Sequence, residues 1–229
     1  MAFLVAPQWQ LVHQMYLQVV DININVNYTA SMDKIILTDC DGVILDWEHS
    51  FHIWMEERGF TPRLDGKMSY YLHDHFENLD RYEAKRLIRV FNESAAIGFL
   101  PALRDAAHYI KRLHEEHGYV FHCITSLSND KSAQKLRVMN IQKIFGELTF
   151  EKFVFLDTGA DKDDALKKYE NSGLYWIEDK PANADVGYKL GLKSILIEHE
   201  HNTDHECAYP MVKNWRQIYK IITQGDHDE

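Results

Sequence analysis

The sequence predicts a doubly wound α/β fold, a Rossmann-like parallel sheet covered by helices, with a small α-helical lobe inserted after the first strand. Three observations predict it. Five apolar runs of strand length are continuous rather than alternating, the pattern of strands covered on both faces. Segments with apolar residues at i, i+3, i+4 and i+7 separate most of these runs, and strands alternating with helices build a parallel sheet. One interval, residues 47–98, holds helical patterns but no strand-like run, and it is too long for a simple crossover.

Residues 1–31 precede this pattern and form an N-terminal extension, in which VVDININVNYT has the composition of a marginal edge strand or a loose arm. KIILTD at 34–39 is the first strand. In the inserted lobe, Trp47, Phe51, Trp54 and Met55 mark one helix closed by Gly59, and Leu79, Tyr82, Leu87 and Val90 mark a second. Leu103, Ala106, Ala107, Ile110 and Leu113 continue with a helix that has Pro101 near its first turn and Gly118 past its end. YVFHCIT at 119–125 is the second strand; Ser128 is placed to cap the helix after it, with Leu136, Met139 and Ile144 on one side. KFVFLD (152–157), LYWIED (174–179) and KSILIE (193–198) are the remaining strands. Pro181 opens a short helix ending near Gly191, and Trp215, Ile218, Tyr219 and Ile222 define the last one. The core is therefore assigned to 32–46 and 99–224, the lobe to 47–98 and a tail to 225–229.

A chain of 229 residues can bury one core of this kind with a smaller lobe attached. Its net charge of -10 leaves no basic face for a nucleic acid polymer, while a local pocket could still hold a small anion. Cys40, Cys123 and Cys207 are an odd number at wide spacing, two of them in apolar runs, as for reduced thiols in a cytoplasmic protein. No stretch approaches the roughly 20 apolar residues of a membrane span. The opening MAFLVAP has no basic flank, so no signal peptide is expected. The oligomeric state is not legible.

Ligands in such sheets bind beyond the carboxyl ends of the strands, so the strand ends belong in one crevice. The first ends on Asp39 and Asp41, with Gly42 allowing the backbone to turn closely around a ligand. The second ends on Thr125 and Ser126, hydroxyls ahead of a helix start whose free N–H groups suit an anion. After the third comes DTGADKDDAL with Lys162, and the fourth ends on Glu178 and Asp179. Two acidic pairs facing each other repel unless a cation lies between them, and hard oxygen ligands suit Mg²⁺. Hydroxyls, a helix N-terminus and a lysine beside that cation suit a phosphate. The constellation points to metal-assisted phosphoryl transfer.

DCDGV, ITS, a lone lysine and IEDKPAN, in this order on successive strand ends, resemble the four motifs of the haloacid dehalogenase-like (HAD) hydrolase superfamily. The resemblance spans about residues 33 to 200 and includes the inserted lobe as a cap. It implies a Mg²⁺-dependent phosphatase acting on a small phosphorylated metabolite. By that resemblance Asp39 is the nucleophile and Asp41 the general acid and base. Gly42, Thr125, Ser126 and Lys162 then bind the phosphate, Thr125 with its hydroxyl and Lys162 against the developing charge. Asp39, Asp41 through its carbonyl, Asp179, Glu178 and Asn183 surround the metal. Thr125 and Ser126 compete for the hydroxyl role, and Lys152 competes with Lys162 but begins a strand. The aromatic residues of the cap make nucleoside monophosphates the first substrate expectation, ahead of sugar phosphates, phosphoglycolate or a mutase reaction.

Other features have plainer readings. His199, His201, His205 and Cys207 match no familiar zinc spacing, so a solvated acidic loop is the simpler account. Tyr70, Tyr71, His73, His75 and Phe76 serve either to read a substrate or to pack the cap. Trp47, Phe51 and Trp54 read as core, with Trp47 close enough to the first strand to reach a ligand. Cys40 is expected to face away from the crevice as buried filler.

Overall fold

The computed structural model describes residues 34–63 and 69–225. The N-terminal extension and its marginal strand lie outside the described residues, as does nearly all of the tail. One sheet runs in the order β3-β2-β1-β4-β5-β6, and every pairing is parallel. Its strands are β1 (Ile35–Thr38), β2 (Val120–Ser126), β3 (Phe150–Leu156), β4 (Tyr175–Glu178), β5 (Lys193–Ile197) and β6 (Met211–Val212). The helices are α1 (Trp47–Glu56), α2 (Arg81–Asn92), α3 (Ala106–His117), α4 (Lys131–Phe145), α5 (Asp163–Leu166), α6 (Pro181–Lys189) and α7 (Trp215–Gly225).

All of β1 is buried because β1 lies inside the sheet and both faces are covered. The side chains alternate between two cores. Ile36 joins Phe121, Cys123, Ile177 and the α1 and α2 residues Phe51 and Phe91 on one side. Ile35 and Leu37 join Val120, Ile124, Leu166 and Trp176 on the other. The helices α1 and α2 thus share a continuous apolar core with the sheet face beneath them.

Five expectations need correction. β3 lies at the sheet edge and is only partly covered, so it is neither as buried nor as late-starting as its apolar run implies. The next helix begins at Ala106, well after Pro101, because the Pro101 carbonyl accepts from the Asp46 N–H and Ala102 bridges Leu45 in extended form. α4 is capped by Asp130, whose carboxylate accepts from the Ala133 N–H at 2.7 Å; Ser128 instead donates to Glu93. That helix buries Ala133, Arg137, Asn140 and Ile141, one face displaced from the predicted one, and leaves Met139 63% exposed. In α2 the buried residues are Ala84, Leu87, Phe91 and Asn92, while Tyr82 and Val90 are exposed. The short edge strand β6 carries too few residues to register as a run.

Candidate active site

The order of strands makes the site. The chain leaves β1 to one side for β2 and later returns to the other side for β4, so the carboxyl ends of β2, β1 and β4 are neighbours at the point where the winding reverses. Register fixes the heights: Thr38 lies opposite Cys123 and Ile177, and the Asp39 N–H donates to the Ile177 carbonyl at 2.9 Å. Asp39, Thr125 and Glu178 therefore emerge at the same rim.

Lys162 joins them. Its ammonium lies 2.7 Å from Asp39 Oδ2 and 2.8 Å from Glu178 Oε2, and the side chain is 2% exposed. Burial alone would push this ammonium down, but the two carboxylates outweigh it and raise it. Asp39 Oδ1 accepts from the Cys40 N–H at 2.6 Å, which fixes the carboxylate plane. Glu178 also accepts from the Lys180 N–H at 3.0 Å and from the Asn183 amide at 3.4 Å, so the Asn183 side chain is turned to Glu178. Lys152 lies far down β3 with its ammonium over the Tyr169 ring, away from this rim.

Asp39, Glu178 and Asp179 each offer one carboxylate oxygen within 4.8 Å of the others. Lys162 ion-pairs with two of them, but its ammonium offsets only one negative charge. Asp179 is raised well above the usual carboxylate range, first by burial and then by the charges of Glu178 and Asp39. A hard all-oxygen donor set whose ionised form leaves two negative charges uncompensated fits a small divalent cation such as Mg²⁺. Gly42 makes the approach of Asp179 possible: at φ +73° its place would put a Cβ 2.2 Å from Asp179 Oδ2.

Thr125 is 1% exposed and lines the cavity, whereas the Ser126 hydroxyl donates to the Ala160 carbonyl at 2.8 Å and ties β2 to the loop that carries Lys162. Asp41 meets a partner that the sequence did not announce. Arg137, fully buried on α4, donates to both Asp41 oxygens, with Nη2 3.3 Å from Oδ2, and also to Cys40 Sγ at 2.8 Å. Burial nonetheless raises Asp41, against the opposing pull of the guanidinium. Cys40 is buried as expected, and the three cysteines are free.

The 199–207 segment is not simply a solvated loop. His199 Nε2 donates to the Gly42 carbonyl at 2.7 Å, and the 2%-exposed Asn202 donates to the carbonyls of Asp179 and Ile197. The segment thereby buttresses both acidic turns from behind. His199, His201, His205 and Cys207 do not gather into a metal-binding set among the described residues. His199 is pushed down to about 4, mainly by burial. Asn202 carries no sequence signal, since a lone Asn in a polar stretch is ordinary.

The rim opens into a cavity of about 1240 Å³ whose far wall is α1, α2 and the 69–73 segment. Trp47 lines it and stacks on Phe51 at 4.8 Å, with its indole N–H donating to Asn92. Tyr70 and Tyr71 are half exposed at its mouth, while His75 and Phe76 are buried in the packing of the 47–98 region. Tyr70 is pushed up to about 12 by burial of its hydroxyl and by the carboxylates of Asp179, Glu178 and Asp39.

No family model matches the chain. An uncharacterized 32.4 kDa protein of Enterobacteria phage T4 is 26% identical over 171 residues, 67% of this chain and 56% of that protein. The chain thus spans little more than half the length of that relative. A predicted phosphatase from Clostridium acetobutylicum superposes with a TM-score of 0.55 at 15% identity, over 85% of this chain and all of the other. A HAD family hydrolase from Deinococcus radiodurans with bound phosphate and sodium gives 0.52 at 17% identity, over 85% and 96%. A putative HAD hydrolase from Bacillus subtilis, bound to magnesium, gives 0.52 at 16% identity, over 84% and 100%. At such identities the likeness is one of fold: the chain has the HAD-like fold, a Rossmann-like parallel sheet flanked by helices.

Proposed function

We propose that this chain is a phosphatase that hydrolyses a small phosphomonoester through an aspartyl-phosphate on Asp39. The observation that carries the reading is Lys162, buried and ion-paired at once to Asp39 and Glu178 beside the unpaired carboxylate of Asp179. A structural salt bridge would not need the third carboxylate, which lies within 4.8 Å of the other two and repels them without a cation between. Asp39, Asp179 and the Asp41 carbonyl would hold Mg²⁺, with Glu178 and Asn183 behind them. When bound, the ion supplies positive charge to the phosphoryl oxygens.

Asp39 attacks phosphorus with one carboxylate oxygen, and the bond from phosphorus to the leaving oxygen breaks as Asp41 gives that oxygen a proton. Water then attacks the same phosphorus, Asp41 takes a proton back, and the bond to Asp39 breaks to release phosphate. A carboxyl raised by burial can hold the proton that the first step requires. Thr125 and the Ser126 N–H would hold the phosphoryl oxygens, with Lys162 opposing the charge that develops on them. The 47–98 region would act as a cap that excludes bulk water and meets the leaving group. Trp47, Tyr70 and Tyr71 on that wall favour a flat leaving group, so nucleoside monophosphates are proposed as substrates.

Phosphate release from a generic aryl phosphate, with and without Mg²⁺, tests the chemistry. Wild type should turn over only with Mg²⁺, and Asp39→Asn should lose at least about 1000-fold in kcat, the scale of a removed nucleophile. Equal rates for the two proteins would end the proposal. A panel of nucleotides, sugar phosphates and phosphoglycolate decides the substrate, and no preference for nucleotides would withdraw that part.

A further inference from the structure

A second cluster of metal-capable side chains stands on the other wall of the cavity. Glu48 and His52 are one turn apart on α1 and share its cavity-lining face. His75, just after the single turn at Leu72–Asp74, meets them, and one ligand atom of each residue lies within 4.8 Å of the other two.

The hydrogen bonds of His75 select its tautomer. Its Nε2 lies 2.6 Å from the Ser69 carbonyl, which can only accept, so Nε2 carries the proton. Nδ1 is then a bare lone pair, 2.9 Å from His52 Nε2. A ring nitrogen donating to a backbone carbonyl while the other presents its lone pair is how ligating histidines are oriented. The rings are also held by packing: His75 is 5% exposed, and His52 lies 4.9 Å from the Phe76 ring. A His52–His75 hydrogen bond alone would satisfy these nitrogens, but it leaves the Glu48 carboxylate, within 4.8 Å of both, outside the pair.

We propose that Glu48, His52 and His75 bind one divalent transition-metal ion of the Zn²⁺ class, with its remaining coordination open to the cavity. Two imidazoles and a carboxylate suit such an ion, whereas the all-oxygen set at Asp39 suits Mg²⁺, so the two sites select different metals. The ion ties the 69–76 segment, and with it Tyr70 and Tyr71, to α1. None of this depends on the phosphatase reading.

Zn²⁺ titration of the full chain in excess Mg²⁺, followed by calorimetry and by Tm, is the test. Wild type and Asp179→Asn should each bind one equivalent and rise in Tm. Glu48→Gln and His52→Gln, both on the cavity side, should weaken binding by at least about tenfold while keeping a native circular dichroism spectrum. Co²⁺ in place of Zn²⁺ should give a visible absorption band in wild type that His52→Gln lacks. No bound Zn²⁺ in wild type, or unchanged binding in both variants, overturns the site.

Discussion

Arg137 is buried without an exposed atom, and it holds Asp41, a carboxylate of the rim that Lys162 does not reach. Removing the guanidinium leaves Asp41, whose side chain is 25% exposed, and the buried Cys40 without their donor. Arg137→Met should therefore cost about 3 kcal/mol in denaturant unfolding, and Arg137→Met with Asp41→Asn should recover part of it. If Asp41 carries the proton, the variant has a second signature. The guanidinium opposes the rise of Asp41 caused by burial, so its loss raises that carboxyl further. The basic limb of kcat/KM against pH should then move to higher pH, and an unmoved limb would remove Asp41 from the acid role. At this scale the sequence was half legible. Asp39, Asp41, Lys162 and Asp179 stand at strand ends where their order can be read, but Arg137 and Asn202 stand among ordinary polar neighbours.

The helix α6 shows how an element is held to the sheet that carries the site. Gly187 lies on its buried side, and a Cβ there would come 2.3 Å from the Trp176 ring and 2.9 Å from the Ser194 hydroxyl. Trp176 in turn donates to the Asn183 carbonyl at 3.1 Å and lies 5.3 Å beneath the Lys162 ammonium. Gly187→Ala should gain a little in helix propensity and lose more by overpacking, for a net destabilisation of about 1–2 kcal/mol by thermal or urea unfolding. Since the displaced ring supports Lys162, kcat should fall as well. The elements themselves were read best where an end is chemically marked, as at Gly118, which closes α3 at φ +72°. They were read worst where a polar residue is buried: Arg137 and Asn140 face inward on α4, so periodicity drawn from apolar residues alone picked the wrong face.

For the whole molecule, the acidic rim makes stability depend on pH and, on the proposed function, on Mg²⁺. Asp179 and Glu178 are raised above their ordinary values, chiefly by burial, so without a cation the folded state holds protons that the unfolded chain has released. Their contribution is complete below the ordinary carboxylate range and is lost as pH rises through the raised values. On the proposed function, Mg²⁺ bound at this rim would replace those protons. The Tm increase caused by saturating Mg²⁺ should therefore grow as pH rises through that window, and Asp179→Asn should abolish the growth. Histidines such as His199, pushed down to about 4, act in the opposite sense with and without the ion, so the difference isolates the rim.

The sequence by itself determined the parallel sheet and the ends of its strands. A strand covered on both faces must be continuously apolar, and the polar residues that interrupt it must stand at its rim. It also determined that four acidic groups and a lysine share that rim, because chain order and strand ends suffice to place them. Only the tertiary structure decided which residues support them. The packing angle of α4 brings Arg137 to Asp41, and the return of the chain after β5 brings His199 and Asn202 to the backs of two acidic turns. The folding of the 69–76 segment onto α1 brings His75 to Glu48 and His52. Each of these is a contact between residues far apart or in irregular chain, where no period or spacing in the sequence records which side chains will meet.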